Sequence, residues 1–157
     1  SSSIVRWLLT HGRVTDAASV LGRPYAMSGV VVQGDRRGRL LNMRTANLES
    51  PCLPPGDGVY AGVADLGVGG RWGAAISVGT NPTFHGRHVR VEAHLLDWPG
   101  PGTHDPEYGW TMRLEFHHWL RDQIRFDSVE PLVRQMHEDV ARARSMQRVE
   151  TLARAPA

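Results

Sequence analysis

The 157-residue chain contains no lysine; all 18 of its Lys+Arg positions are arginine. That absence excludes a Gly-Lys-Ser/Thr phosphate loop, a protein-kinase lysine and a Schiff-base lysine. Cysteine is almost missing as well. Cys52 stands alone, so no intrachain disulfide can form, and a cysteine-based zinc site has too few ligands. No apolar run approaches the ~20 residues of a membrane span, and no charged-then-apolar signal segment opens the chain. The reading is a soluble, cytoplasmic protein of one domain. A net charge of +2 is too small to argue for nucleic acid. The arginines between 36 and 44 also lack the interleaved aromatics that stack on single strands.

What is present reads as strands bracketed by helices. Residues 1–21 hold two short helical pieces, 4–9 and 14–21, broken by Gly12. Residues 29–33 are a β-branched run, and 51–58 hold three prolines and two glycines and predict a loop. Residues 59–66 and 72–78 flank a Gly67-Val68-Gly69-Gly70 turn and predict a hairpin. Residues 88–97 alternate, with Val89, Val91, Ala93 and Leu95 on one face and Arg90, Glu92 and His94 on the other. Residues 98–109 form a Pro/Gly loop, after which Met112, Leu114 and Phe116 point inward. From residue 127 the period becomes helical, with a stripe of Val129, Leu132, Val133, Met136, Val140 and Ala143. Residues 151–157 read as a frayed tail. Five or six strands without intervening helices, closed by one terminal helix, predict a small antiparallel barrel. Side chains fill a barrel of this size, so a ligand must sit at its rim or under loops.

Three stretches could carry chemistry. Gly34 to Leu48 is rich in glycine and arginine and ends in Thr45-Ala46-Asn47. Its glycines allow a nest of amides, and Arg36, Arg37 and Arg39 add charge-assisted contacts to an anion. By spacing alone a solvated hairpin loop accounts for it better. Glu92 lies mid-strand, where a carboxylate can accept a proton or simply pair with Arg90. Gly79 to Phe84 contains the Asn81-Pro82 turn signal, and is either a tight loop or a rim presenting Asn81, Thr83 and Phe84 to a planar ligand. The histidines form no ligand cluster by spacing; His117 and His118 are adjacent on a strand and point to opposite faces.

Taken in order, these pieces resemble the riboflavin kinase (flavokinase) family, above all the C-terminal kinase module of bacterial bifunctional riboflavin kinase/FAD synthetases. The matching residues are Leu21-Gly22-Arg23-Pro24-Tyr25, Gly29 to Val32, Gly34-Asp35, Arg37-Gly38-Arg39, Thr45-Ala46-Asn47-Leu48 and Asp57 to Ala61. They continue with Ala75 to Phe84, Val91 to Asp97, Tyr108-Gly109, Leu120-Arg121 and Arg125 to Ser128. The resemblance implies a mainly β fold, a six-stranded antiparallel Greek-key barrel with short N-terminal helices and a C-terminal helix. It implies a Mg²⁺-dependent transfer of the ATP γ-phosphate to the ribityl 5′-hydroxyl of riboflavin, giving FMN. Glu92 would be the general base, and Thr45 and Asn47 would hold Mg²⁺ and phosphate oxygens. Gly34, Arg37, Gly38 and Arg39 would border the nucleotide phosphates, while Asn81, Pro82, Thr83, Phe84 and Arg121 would lie on the flavin side. Residues 1–22 resemble the end of an upstream FMN adenylyltransferase module, 23–150 the kinase-like barrel with its helix, and 151–157 a tail. Such a module would be the partner in a full-length protein.

The sequence departs from the family pattern in one place above all. The usual Gly-Phe-Pro before Thr-Ala-Asn is Asn42-Met43-Arg44, and the usual glycine at 36 is Arg36. Near the C-terminus the usual Arg-x-Glu-x-Lys-Phe is Arg121-Asp122-Gln123-Ile124-Arg125-Phe126. Arg44 puts a cation beside the metal pair and removes the proline that would fix its backbone. These changes define a second expectation: a flavokinase-like domain that binds flavin or nucleotide without phosphoryl transfer, or a kinase with an altered donor or acceptor.

Overall fold

Alternation of apolar and polar residues, clearest over residues 88–95, makes a strand two-faced, and closing the sheet hides one of those faces. The computed structural model describes residues 2–34, 43–105 and 107–154. The strands are β1 (Tyr25–Val32), β2 (Ala46–Glu49), β3 (Gly58–Asp65), β4 (Arg71–Thr83), β5 (Gly86–Leu95) and β6 (Thr111–Arg121). They close into an antiparallel barrel in the order β1-β2-β5-β4-β3-β6, the six-stranded architecture expected. Helices α1 (Ser2–Thr10) and α2 (Val14–Leu21) precede the strands, and α3 (Val129–Arg154) follows them. No helix among the described residues is long and apolar enough to cross a membrane.

The interior is solid. Tyr60, Ile76, Val78, Ala93, Leu114 and Phe116 are all fully buried, and the Tyr60 ring meets Phe116 edge-on at 5.3 Å and Trp119 at 5.4 Å. Leu8, Leu9, Val14 and Ala17 of the two N-terminal helices belong to this same core. Gly12, between them, has φ +73°, and a Cβ there would strike the Trp119 ring. A second apolar cluster forms outside the barrel, where Val59, Ala61, Ala75 and Leu120 meet Ala143, Val140 and Met146 of α3. The helix therefore lies against the outer barrel wall.

Four local expectations need correction. Asn81-Pro82 is not a turn: β4 runs to Thr83, and the turn falls at Phe84-His85. The β3–β4 ladder ends at Val78, and from Gly79 onward β4 continues its pairing along β5. An edge segment tolerates a proline that cannot donate to a second neighbour. The ladder between β3 and β6 slips between Ala61 and Gly62, which breaks regular alternation at His117–His118; their rings stand 6.4 Å apart. Val129 is 57% exposed rather than part of the buried stripe. Residues Thr151 to Arg154 continue α3 instead of fraying.

On the outer wall, Glu115 is buried among cations. It accepts from Arg71 at 2.9 and 3.2 Å and from Arg113 at 3.0 Å, and it contacts His117 Nε2 at 3.0 Å. Burial by itself pushes this carboxyl up, but the hydrogen bonds and charges of Arg71 and His117 together outweigh it and hold Glu115 below the usual carboxylate range. A group depressed in the folded state stabilises the fold above its unfolded value, about 4.3 for Glu, and that contribution is lost as pH falls through the folded value. Glu115→Gln should therefore cost about 2 kcal/mol at neutral pH. It should also show a shallower loss of thermal stability below about pH 4.3 than the parent, read by melting across pH. Parallel acid limbs would remove Glu115 from this role.

Candidate active site

Because the core is filled, the polar faces of β2, β4 and β5 look outward, and the clefts form there. Glu92 sits mid-way along β5, directly opposite Asn47 of β2 on one side and Ser77 of β4 on the other. Opposed residues of a ladder share a face with Cβ atoms about 5 Å apart. Asn47, Glu92 and Ser77 are thus a row of polar groups across three strands.

Two large clefts open from this row. One, of about 750 Å³, lies between the outer wall and α3; Thr45, Ser77, Asn81, Glu92 and Arg121 line it beside apolar Ile124, Leu132 and Met136. The other, of about 560 Å³, is bordered by Gly34, Asn47, Glu49, Cys52, His88 and Arg90. A smaller hollow of about 70 Å³ joins Gly34, Thr45 and Asn47 to Arg44, Trp98 and Tyr108. Gly34, Thr45 and Asn47 thereby share the small hollow, and Glu92, opposite Asn47 in the ladder, lines the α3 cleft with Thr45. A Cβ on Gly34 would meet the Asn47 side-chain amide, so any other residue there would have to displace that amide.

Of the remaining candidates, Asn81 lines the α3 cleft. Pro82 is exposed on β4, and Phe84 is 104% exposed at the turn; neither is among the cleft-lining residues. Thr83 ends β4. Arg37, Gly38 and Arg39, with Arg36 and Asn42, lie outside the described residues. Arg121 borders the cleft, but its guanidinium is held by Asp139 of α3, with Nε 2.8 Å from Oδ1 and Nη2 2.7 Å from Oδ2. Gln135 also donates to Asp139, at 3.1 Å. This bidentate pair fixes the helix to the end of β6.

The structure adds residues that spacing did not single out. Gln123 Nε2 donates to Ser77 Oγ and Val78 O, each at 2.8 Å, and to Gly58 O at 3.3 Å. The glutamate usual at that position has no proton to donate in its ionised form, so the amide here does what a carboxylate cannot. His94 Nδ1 lies 2.8 Å from Arg44 O; a carbonyl only accepts, so Nδ1 carries the proton. That bond restrains the backbone just before Thr45 where a proline is usual. Met43 is buried, and Arg44 Nη1 would stand 3.4 Å from a Cβ on Gly100, so the Arg44 guanidinium reaches toward the loop after β5. None of these contacts follows a sequence period, because each joins segments far apart in the chain.

Among the described residues no group of three or more His, Cys, Asp and Glu is placed to hold a metal ion. The donors gathered at the row are instead neutral oxygens, from Thr45 and Asn47, beside the single carboxylate of Glu92. That set suits a hard cation that keeps water and substrate phosphates among its ligands, as Mg²⁺ does.

The fold is a filled antiparallel barrel with one cleft lined by Glu92 under α3 and a second bordered by Asn47, which lies opposite Glu92 in the β2–β5 ladder. The chain belongs to the riboflavin kinase family: the family model described as "Flavokinase: Riboflavin kinase" matches residues 21–147. It is 31% identical to the bifunctional riboflavin kinase/FMN adenylyltransferase of Bacillus subtilis over 144 residues, covering 88% of this chain and 44% of that protein. It is 36% identical to the protein of the same name from Escherichia coli K12 over 146 residues, covering 92% of this chain and 45% of the relative. A crystal structure of a Streptococcus pneumoniae protein named as a macrolide-efflux protein superposes with a TM-score of 0.82 at 34% identity. It covers 92% of this chain and 46% of that one. The chain thus spans less than half the length of these relatives.

The wall of the α3 cleft can be tested by itself. Removing one partner of a buried ion pair leaves a desolvated charge, so Asp139→Asn should destabilise by about 3 kcal/mol in urea unfolding. Arg121→Met with Asp139→Leu should recover much of the loss. If the double variant is no better than the single one, the uncompensated charge is not the cause.

Proposed function

We propose that this chain is a riboflavin kinase, transferring the γ-phosphoryl group of ATP to the ribityl 5′-hydroxyl of riboflavin to give FMN. The observation that carries the reading is the pairing of Glu92 with Asn47 across the β2–β5 ladder, with Glu92 and Thr45 lining the α3 cleft and Asn47 the other. Each cleft can take one substrate, and the group to be transferred would cross the row between them. The α3 cleft offers Ile124, Leu132 and Met136 to a planar ring system, with Asn81 and Ser77 available to hydroxyls. The other offers Gly34 and Asn47 to phosphate oxygens.

Phosphoryl transfer depends on positioning and charge neutralisation more than on covalent help from the protein. Glu92 accepts the proton of the 5′-hydroxyl as its oxygen attacks phosphorus. The flanking strands hold that carboxylate rigidly, which limits its motion relative to the acceptor. Thr45 and Asn47 would hold Mg²⁺, which when bound neutralises phosphate charge. Arg121, occupied by Asp139, acts in this reading as a brace for the flavin-side wall. The proposal concerns the kinase activity alone; an FMN adenylyltransferase module, as the names of the relatives describe, would use its product.

A second reading has an observation of its own. Arg44 precedes Thr45 and lines the same hollow as Thr45 and Asn47, so a cation stands beside the Mg²⁺ position. A cation in the hollow of the residues that would hold Mg²⁺ favours a domain that binds flavin or nucleotide without transfer.

Incubation with riboflavin, ATP and Mg²⁺ should yield FMN by chromatography, and omission of Mg²⁺ should abolish it. Glu92→Gln should lower turnover by roughly 10²- to 10⁴-fold while riboflavin still quenches on titration. Flavin quenching without any FMN from the folded parent protein selects the second reading. In that event Arg44→Pro with Asn42→Gly should restore transfer.

A further inference from the structure

Ser77 is a half-buried hydroxyl on the strand wall of the α3 cleft. Its neighbours Ile76 and Val78 are fully buried, so the pleat of β4 turns the Ser77 side chain to the outer face. Glu92 is its direct partner in the β4–β5 ladder and lines the same cleft. Ladder partners have Cβ atoms about 5 Å apart. A ligand whose terminal hydroxyl meets Glu92 would therefore run beside Ser77.

The polarity of that hydroxyl is set from another element. Gln123 lies two residues beyond the end of β6. Its Nε2 stands 2.8 Å from Ser77 Oγ, 2.8 Å from Val78 O and 3.3 Å from Gly58 O. Gly58 and Val78 face each other across the β3–β4 ladder, so the amide sits at the end of that pairing. Both are carbonyls, which only accept, and this fixes which end of the amide faces them. An amide nitrogen does not accept, so Ser77 Oγ is the acceptor of its contact and keeps one proton to give. Arg121, clamped by Asp139, holds the chain two residues before Gln123. An ionised glutamate at 123 would reverse the arrangement, because it only accepts, and Ser77 would donate to it.

We propose that Ser77 is a substrate-binding residue that donates a hydrogen bond to the ribityl chain of the flavin, and that Gln123 is the positioning residue that makes it a donor. The inference rests on the flavin-binding part of the riboflavin kinase reading, and it holds whether or not a phosphoryl group is then transferred. The recipient is a hydroxyl oxygen of the chain and not the ring. Ile124, Leu132 and Met136 of the same cleft offer the ring apolar contact, whereas the chain must end at Glu92, beside Ser77. A specificity for flavins with a hydroxylated side chain follows from this one contact.

The test titrates riboflavin and lumiflavin by fluorescence quenching; lumiflavin carries the same ring with a methyl group in place of the ribityl chain. The ratio of their Kd values isolates the chain, because a shifted cleft wall moves both constants together. Ser77→Ala and Gln123→Glu should each reduce the preference for riboflavin about 5-fold, the scale of one neutral hydrogen bond. The double variant should reduce it no further, since both changes remove the same contact. An unchanged preference in Ser77→Ala overturns the proposal, as does equal binding of the two flavins by the parent. A preference lost in Ser77→Ala but kept in Gln123→Glu, or effects that add in the double variant, refutes the role of Gln123. If the parent binds neither flavin, the riboflavin kinase reading itself fails; if it binds both but forms no FMN, only the transfer fails and the Ser77 contact is still read from the ratio.

Discussion

The packing of Tyr60, Phe116, Ile76 and Leu114 inside the barrel is the constraint on which everything else in this structure depends. Six strands leave an interior that side chains fill, with no space for a substrate. Every polar group on the alternate positions is thereby sent to the outer wall. What would be a solvated surface becomes a cleft where α3 lies across part of it, and Gln33 and Gly34 after β1 border a second cleft. The candidate site therefore lies on the outside of the barrel.

The outer wall in turn depends on two kinds of ion pair. Glu115 and Asp139 are buried and held by short, multiple contacts, and they tie elements together: β4 to β6 in one case, β6 to α3 in the other. The Arg90–Glu92 pair is long and partly exposed. A buried bidentate pair is costly to open once formed, whereas a long wet pair contributes little to stability.

The departures from the family pattern look different in three dimensions. A proline lost before Thr45 suggests a looser backbone, yet His94 fixes the Arg44 carbonyl from the neighbouring strand. A glutamate replaced by Gln123 suggests a lost contact, yet the amide donates to two backbone carbonyls and to Ser77. Met43, in place of a usual aromatic, remains a buried apolar residue. Arg44 is the change that keeps its chemical consequence, since it adds charge beside Thr45 and Asn47.

By itself the sequence determined most of the strands, the inward faces of the regular ones and the resemblance to the family. Period-two alternation from His88 to Leu95 states which residues of β5 point in, so Glu92 is legible as an outward carboxylate from the pattern alone. Thr45-Ala46-Asn47 is legible through the order of motifs, though spacing alone favours an ordinary loop there. Only the tertiary structure decided what stands next to these residues. Barrel closure sets β5 between β2 and β4, which brings Asn47 and Ser77 to Glu92. The return of α3 brings Asp139 to Arg121 and apolar side chains over the cleft. Proline in β4 reads locally as a turn because whether a strand has one neighbour or two depends on the sheet. Contacts between segments tens of residues apart leave no period in a sequence, so they become visible only when the chain has closed on itself.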